Sequence, residues 1–394
     1  MSNKNYIPYA RQYIDNEDIR YVQEALNSEL ISSGPYVEKF EQEFAKITNS
    51  KYAVACSSGT AALHLASKAI NIQKGDNVVI PTVTFLATAN APYHEGANIV
   101  FADVNGETGL LDKFSLNKTL QKYKSPIKAI FPVHLNGSVI DMKECFGSIR
   151  EDGVYVIEDA SHALGAHYKN GPPVGSCQYS DMTVFSFHPV KMICMGEGGM
   201  VTTNDKNLYK NLKLLRNHGL TREFDDFENY EEAFELKDKP NRWYYEMKIP
   251  SLNFRSSDIN CALGYSQLKK LNFFIEKRSH IVGLYDSFFS SYEKYIKPVK
   301  RSDNLNRGIH LYVVLIEFER IGISRNEFMK ILADKGVGTQ VHYLPLHRQI
   351  FWNTKQNFSG ADKYYSRCLS LPLFPSMNDS DVKYISESII EIFP

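Results

Sequence analysis

Apolar positions recur at helical spacing through the first fifty residues and then change to short, uninterrupted runs. Ile19, Val22, Leu26 and Leu30 share one face of the segment 15–30 (DNEDIRYVQEALNSEL), which predicts an amphipathic helix. The breaker SSGP at 32–35 ends it, and Val37, Phe40, Phe44 and Ile47 predict a second helix. Seven apolar runs follow, at 52–56, 77–81, 98–104, 127–133, 154–159, 183–187 and 199–204. Each is short, bounded by turn signals and separated from the next by a helical or loop segment. That rhythm predicts buried strands of a mostly parallel seven-stranded sheet, with helices covering both faces.

The rhythm stops after about residue 205. The stretch 221–240 (TREFDDFENYEEAFELKDKP) is charged and aromatic and reads as a surface insertion. Residues 256–278 predict one long helix capped by Ser or Asp. From 280 onward a smaller α+β unit is expected, with a strand at 309–318 and an extended segment at 338–345. The expected organisation is a large α/β domain over 1–250, including the N-terminal helices, and a small C-terminal α+β domain over 251–394. No internal repeat or low-complexity tract is present.

Composition narrows the function classes. A chain of 394 residues is long enough for about two domains with a large core. Lys plus Arg and Asp plus Glu both number 45, so the formal net charge is zero and no electrostatic footprint points to nucleic acid or an anionic membrane. The most apolar stretch, 78–91, is broken by Pro81, several threonines and Asn90, which excludes a membrane span there. The opening dodecapeptide lacks the apolar core of a signal peptide. Six scattered cysteines form no CxxC pair, and the histidines have no familiar zinc or iron spacing. No metal site, no membrane and no nucleic-acid partner are therefore expected, and a reduced, cytoplasmic setting is.

Three stretches combine residues that carry chemistry. In 55–66 (ACSSGTAALHLA) a strand ends at Cys56 and a helix starts near Thr60, across a turn of small residues. Such a turn lets an anion reach free N–H groups at the positive end of a helix dipole, and Thr60 adds a hydroxyl. The same residues also suit an ordinary N-cap. Neither GxGxxG nor GxxxxGK[ST] occurs, which argues against a dinucleotide fold or a P-loop. In 154–166 (VYVIEDASHALGA) Asp159 ends a buried strand, at the edge where α/β sheets bind ligands, and His162 follows three residues later. A strand-end Asp also caps helices, and His162 also fits as a plain core residue. In 185–201 (FSFHPVKMICMGEGGMV) Lys191 stands in an apolar stretch turned by Pro189 and loosened by GEGG at 196–199. A desolvated lysine is a nucleophilic amine able to form a Schiff base; a lysine snorkelling to solvent is the ordinary alternative.

Taken together the three have a common use. Pyridoxal phosphate needs a phosphate site, a carboxylate on its pyridinium nitrogen and a lysine for its aldehyde. Here an anion cradle, an Asp and a Lys follow different strands of one sheet, in the chain order that a fold-type-I enzyme requires.

With these residues in place the chain resembles the DegT-type sugar aminotransferases, a branch of the fold-type-I pyridoxal phosphate enzymes. The matching stretches are SSGTAALHLA, PTVTFLATANA, IEDASHALGA, FSFHPVKMICMGEGGMVTTND, LNFRSSDINCALGYSQLKKL, GTQVHYLP and LSLPLFPSM, which together cover nearly the whole length. The segment 243–271 is most similar to one subgroup, the UDP-4-amino-4,6-dideoxy-N-acetyl-β-L-altrosamine transaminases of pseudaminic acid biosynthesis.

The resemblance implies specific roles. Lys191 matches the lysine that holds the cofactor, Asp159 the partner of the ring nitrogen, and His162 the residue beside the phenolic oxygen. Phe85 matches the aromatic on the ring face, and Gly59, Thr60, Ala61 and Ser186 match the phosphate site. Asn253, with Arg255 nearby, matches an NxR motif that a neighbouring subunit inserts, which implies a homodimer with shared sites. L-Glutamate as amino donor, a UDP-linked 4-ketosugar as acceptor and pyridoxamine phosphate as the form between half-reactions follow from the subgroup. Related dehydratases carry His at the lysine position, so Lys191 favours transamination. Two departures stand out: Cys194 and Met195 replace a usual Thr-Thr, and Ser251 replaces a usual Gly. Substrate choice is expected in the loops 29–35, 221–246 and 340–349, where His342 and Tyr343 are candidate contacts that equally suit strand-end packing. Another nucleotide-linked ketosugar (bacillosamine/legionaminic, viosamine or perosamine type), a pyridoxal lyase and an inactive cofactor-binding regulator are the rival readings.

Overall fold

The computed structural model describes residues 6–147, 149, 153–235, 239–301 and 308–394. The first five residues of the N-terminal stretch, and 236–238 of the charged insertion, lie outside them.

All seven apolar runs form strands of a single sheet: β1 (Tyr52–Cys56), β2 (Asn77–Pro81), β3 (Asn98–Ala102), β4 (Ile127–Ile130), β5 (Tyr155–Asp159), β6 (Met182–Ser186) and β7 (Gly199–Thr203). Their order is β1-β7-β6-β5-β4-β2-β3. Only β7 runs against its neighbours, β1 and β6; the pairs from β6 to β3 are parallel. Every residue of β2 is buried, which removes any apolar–polar alternation, as a sheet between two helical layers requires. Val54, Val78, Ile80, Ile157 and Val184 pack with α3 (Gly59–Ala69) and the helix Lys206–Arg216. The alternate residues Ala53, Ala55, Val79, Val156 and Phe185 pack with Phe40 and Phe44 of the helix Pro35–Thr48 on the other face.

The first helix, Asn16–Leu26, corrects the sequence pattern. Its buried residues are Asp18, Tyr21 and Ala25, whereas Ile19 and Leu26, with Leu30 beyond its end, are exposed. Polar contacts decide the orientation. Asp18 accepts from Ser266 Oγ at 2.7 Å and Gln267 Nε2 at 2.8 Å, and pairs with Lys270 at 2.7 Å. A buried carboxylate without those partners would cost far more than exposing three aliphatic side chains.

The predicted long helix is two helices, Asp258–Lys269 and Leu271–Phe289, with Ser257 as the cap of the first. The first packs beside the helices Asn16–Leu26 and Pro35–Thr48. The second sends Ile281, Val282, Tyr285 and Phe289 into a separate core with a three-stranded antiparallel sheet, Ile296–Pro298, Tyr312–Ile316 and Cys368–Leu371. Lys270 is an ordinary helix former, so periodicity cannot register a one-residue break there. The strand expected over 309–318 is shorter for a similar reason: the His310 and Leu311 N–H groups go instead to the Asn136 carbonyl, at 3.0 and 3.2 Å. The 338–345 segment is extended, with an isolated bridge between Gln340 and Ser370. The charged insertion forms one short ribbon, Phe234–Glu235 with Lys239–Pro240, is closed at its base by a second, Leu220–Thr221 with Glu246–Met247, and leaves Phe224 and Tyr230 exposed. Among the described residues no helix is long and apolar enough to cross a membrane.

Candidate active site

A cavity of about 520 Å³ opens where β1, β2, β5 and β6 end, and the segment 340–343 borders it. The sheet register brings the parts together: β7 begins at Gly199, which pairs with both Cys56 and Ser186. Three chain segments far apart in sequence thus meet at one sheet edge. Gly59, Thr60, Phe85, Asp159, His162, Ser186, Lys191, His342 and Tyr343 all line the cavity.

Helix α3 points its N-terminus at this space. Ser58 caps it by accepting the Ala61 N–H at 3.0 Å, so Ala61 contributes to the cap rather than to the cavity wall. Small residues are needed because the backbones approach closely. A Cβ on Gly59 would stand 2.6 Å from Ser186 Cβ, and one on Gly199 would stand 2.2 Å from the Ser58 carbonyl oxygen. The result is a helix terminus open to an anion, beside the hydroxyl of Thr60.

Asp159 is held on both sides. Thr88 Oγ1 donates to its Oδ2 at 2.7 Å and the Ser161 N–H to its Oδ1 at 3.1 Å. The preceding residue, Glu158, faces the opposite way into a closed cluster. It accepts from Tyr168 at 2.7 Å and pairs with His134 at 2.6 Å, with Ser180 and Thr183 completing its shell. Burial opposes its ionisation, but His134 and the hydroxyls hold its pKa below the ordinary carboxylate value.

Burial lowers the Lys191 ammonium to about 8, with Asp159 the opposing influence. An amine of that pKa is partly neutral, and so nucleophilic, near physiological pH. Burial, with Lys191 nearby, also pushes His162 well below its usual range and His342 down to about 3. His162 Nδ1 accepts the Asn136 N–H at 3.2 Å, and its Nε2 lies 3.1 Å from Tyr343 Oη. His342 Nδ1 lies 2.7 Å from Ser370 Oγ.

Asn253 and Arg255 do not line the cavity of their own chain. Asn253 is exposed and accepts the Arg255 N–H at 3.2 Å, while the Arg255 guanidinium donates to Asn217. The departures lie in the packing. Met195 is buried against Gly198 and Gly264, and Cys194, its thiol pushed up to about 12 by burial, faces Gln267 at 3.7 Å. Ser251 Oγ donates to the Leu215 carbonyl at 2.7 Å.

Sequence reasoning missed Thr88, Ser161, Asn136 and His310. Asn136 carried a signal, an Asn-Gly pair that fits its left-handed φ of 64°. Thr88 and His310 carried none, since one looks like a helix threonine and the other like a strand residue.

The sequence pattern of the DegT/DnrJ/EryC1/StrS aminotransferases matches residues 12–390. The chain belongs to that family. It is 36% identical over 394 residues to the spore coat polysaccharide biosynthesis protein SpsC of Bacillus subtilis, covering 98% of this chain and 97% of that one. It is 35% identical over 390 residues to the UDP-4-amino-4,6-dideoxy-N-acetyl-beta-L-altrosamine transaminase of Campylobacter jejuni, again covering 98% and 97%. Among solved structures, Helicobacter pylori PseC, an aminotransferase involved in the biosynthesis of pseudoaminic acid, superposes with a TM-score of 0.88 at 28% identity over 99% of each chain. This DegT-family protein is accordingly a pyridoxal-phosphate-dependent sugar aminotransferase. The cavity fits that cofactor: a half-buried lysine amine of lowered pKa, a doubly hydrogen-bonded carboxylate and a helix N-terminus packed too closely on Ser186 to admit a Cβ at Gly59 share one space.

Proposed function

We propose that this aminotransferase moves the amino group of L-glutamate to C4 of a UDP-linked 4-keto-6-deoxy-N-acetyl-hexosamine, as a step of pseudaminic acid biosynthesis. One observation carries the chemistry: Lys191, with its pKa near 8, opens onto the same cavity as Asp159 and the N-terminus of α3. The similarity to the Campylobacter jejuni transaminase over nearly the whole chain supports the choice of sugar.

In this reading Gly59, Thr60 and Ser186 hold the cofactor's phosphate, with Ala61 fixing the helix cap above it. Phe85 covers one face of the ring and His162 stands beside its phenolic oxygen. Asp159 supplies the negative charge that keeps the ring nitrogen protonated. Pyridoxal phosphate, when bound, provides an electron sink for the pair released at the amine-bearing carbon. Lys191 holds the aldehyde between turnovers, and its freed Nζ then takes and returns the proton that moves during the reaction. Arg255, His342 and Tyr343 contact substrate. Asn253 and Arg255, turned away from their own cavity, reach into that of a second copy, so the working unit is a homodimer in the cytoplasm. The division into a large domain, 1–250, and a small one, 251–394, belongs to the same proposal.

The test is the absorbance of the cofactor through a half-reaction cycle. Glutamate is added and removed, and UDP-linked 4-ketosugars are then offered singly. Recovery of the starting band with the altrose-configured ketosugar alone bears out the assignment. Recovery only with another ketosugar keeps the reaction and replaces the pathway. No response to glutamate rejects glutamate as donor.

A further inference from the structure

The hydrogen bonds around His162 determine which way a neighbouring phenol points. The Asn136 N–H donates to His162 Nδ1 at 3.2 Å, so Nδ1 carries a lone pair and no proton. His162 is held neutral by burial and by Lys191 and His342, so its single ring proton is on Nε2. Nε2 lies 3.1 Å from Tyr343 Oη and therefore donates to it. Tyr343 is the acceptor in this pair, and its own proton is left to point elsewhere.

No second partner takes that proton among the described residues. Tyr343 lines the cavity, its ring 5.8 Å from Phe85 on one side and 6.0 Å from His162 on the other. Burial, with Asp159 and Tyr9 nearby, raises its pKa far above the ordinary phenol value, so the hydroxyl remains a neutral donor at any working pH. The Asn136 peptide is itself fixed: its left-handed backbone is buried, and its carbonyl accepts the N–H groups of His310 and Leu311. The relay runs in one direction, from the Asn136 amide through His162 to Tyr343 and then into the cavity.

We propose that Tyr343 is a substrate-binding donor, its hydroxyl oriented by His162 toward an oxygen attached next to the reacting carbon. In the amino donor that oxygen belongs to the α-carboxylate; in the sugar it belongs to a neighbouring ring substituent. Among the described residues that line the cavity, Lys191 is the one Lys or Arg. Within its own chain a carboxylate bound there meets neutral donors, and an oriented phenol is suited to that task beside the Arg255 proposed to enter from a second copy. The proposal rests on the aminotransferase reading above.

Tyr343→Phe removes the hydroxyl and keeps the ring between Phe85 and His162. Holoenzymes of the wild type and the variant are titrated with glutamate, and separately, in the pyridoxamine phosphate form, with the ketosugar, following the cofactor band. The expected result is a roughly 10- to 100-fold rise in half-saturating glutamate for the variant, the range for a hydrogen bond to a charged acceptor. A rise confined to the ketosugar titration also supports the donor and assigns it to the sugar's oxygen. Equal titrations for variant and wild type overturn the proposal while leaving the functional reading intact. A shift of the variant's band before any substrate is added places the hydroxyl on the cofactor and overturns it as well. A wild type that answers neither substrate defeats the functional reading itself.

Discussion

Thr88 donates its hydroxyl to Asp159 at 2.7 Å, and Thr84 stands 2.8 Å behind it. Because Thr88 spends its proton on the carboxylate, Thr84 must be the donor in the second bond. A chain of two threonines from the turn after β2 and the following helix therefore braces a carboxylate at the end of β5.

Thr88→Val keeps the shape and removes the donor. Turnover should fall roughly 10-fold or more, with the circular dichroism spectrum and the substrate KM nearly unchanged. A variant with full turnover would show that Ser161 alone suffices to hold Asp159.

Lys191 should report its burial through pH. Desolvation lowers its pKa to about 8, and Asp159 pulls the other way. The rate at which apoprotein captures pyridoxal phosphate should climb with pH to a midpoint near 8 and then level off. A solvated lysine would keep climbing toward 10.5. Asp159→Asn removes the charge that raises the pKa, so the midpoint should move below 8 in that variant. A midpoint that stays or rises sinks the account. Lys191→Ala should still bind the cofactor and lose turnover by orders of magnitude.

Gly59→Ala puts a Cβ 2.6 Å from Ser186 Cβ. The helix must shift, and cofactor affinity should drop by roughly 10-fold, a loss of about 1.4 kcal/mol. In a Ser186→Gly background the struck atom is gone and the Ser186 phosphate contact is already lost, so Gly59→Ala should cost little further affinity there by equilibrium dialysis; an equal loss in both backgrounds would mean a general loss of fold rather than crowding.

Glu158 is fully buried and satisfied by His134, Tyr168, Ser180 and Thr183. Glu158→Ala leaves those groups unpaired and should cost about 3–5 kcal/mol in urea unfolding. The sign with pH follows from the lowered pKa: the stabilisation is present above the ordinary carboxylate value near 4.5 and is lost as pH falls through the lower folded value. The gap between wild type and variant should therefore narrow in acid. A constant gap would mean that the cluster works by packing alone.

The proposed sharing of active sites between two copies predicts complementation. Chains carrying Lys191→Ala and Asn253→Ala, each impaired alone, are mixed and allowed to exchange subunits. A heterodimer has one site with both native residues, so about a quarter of wild-type activity should return in an equal random mixture. Unchanged activity on mixing would confine each site to one chain.

Much of the fold was legible because each strand of the large sheet announces itself locally. Val78, Val79 and Ile80 are apolar in succession since both faces are covered, and no distant residue is needed to recognise that pattern. Lys191 and Asp159 were legible for the converse reason, as charged residues placed where burial makes charge expensive. Thr88 and His310 were not, and Asn136 showed only its Asn-Gly turn, because each gains its role in the site from a partner dozens or hundreds of positions away. The Asn16–Leu26 helix shows the limit most directly. Its apolar stripe at Ile19, Val22 and Leu26 is a sound amphipathic signal, yet Asp18 is the residue that turns inward.

By itself the chain's pattern determined the seven strands, the helix opened by small residues at Gly59, the aspartate at the end of one strand and the lysine in the turn beyond another, since hydrophobic period, turn chemistry and the cost of burying charge all act over a few residues. Only the tertiary structure decided which face of the first helix is covered, that the helix after Ser257 breaks at Lys270, and that His162 directs the Tyr343 hydroxyl into the cavity. Those outcomes depend on hydrogen bonds between groups such as Asp18 and Ser266, or Asn136 and His162, that lie far apart along the chain. A buried polar group must find its partner wherever the fold places it, and no local spacing encodes that address.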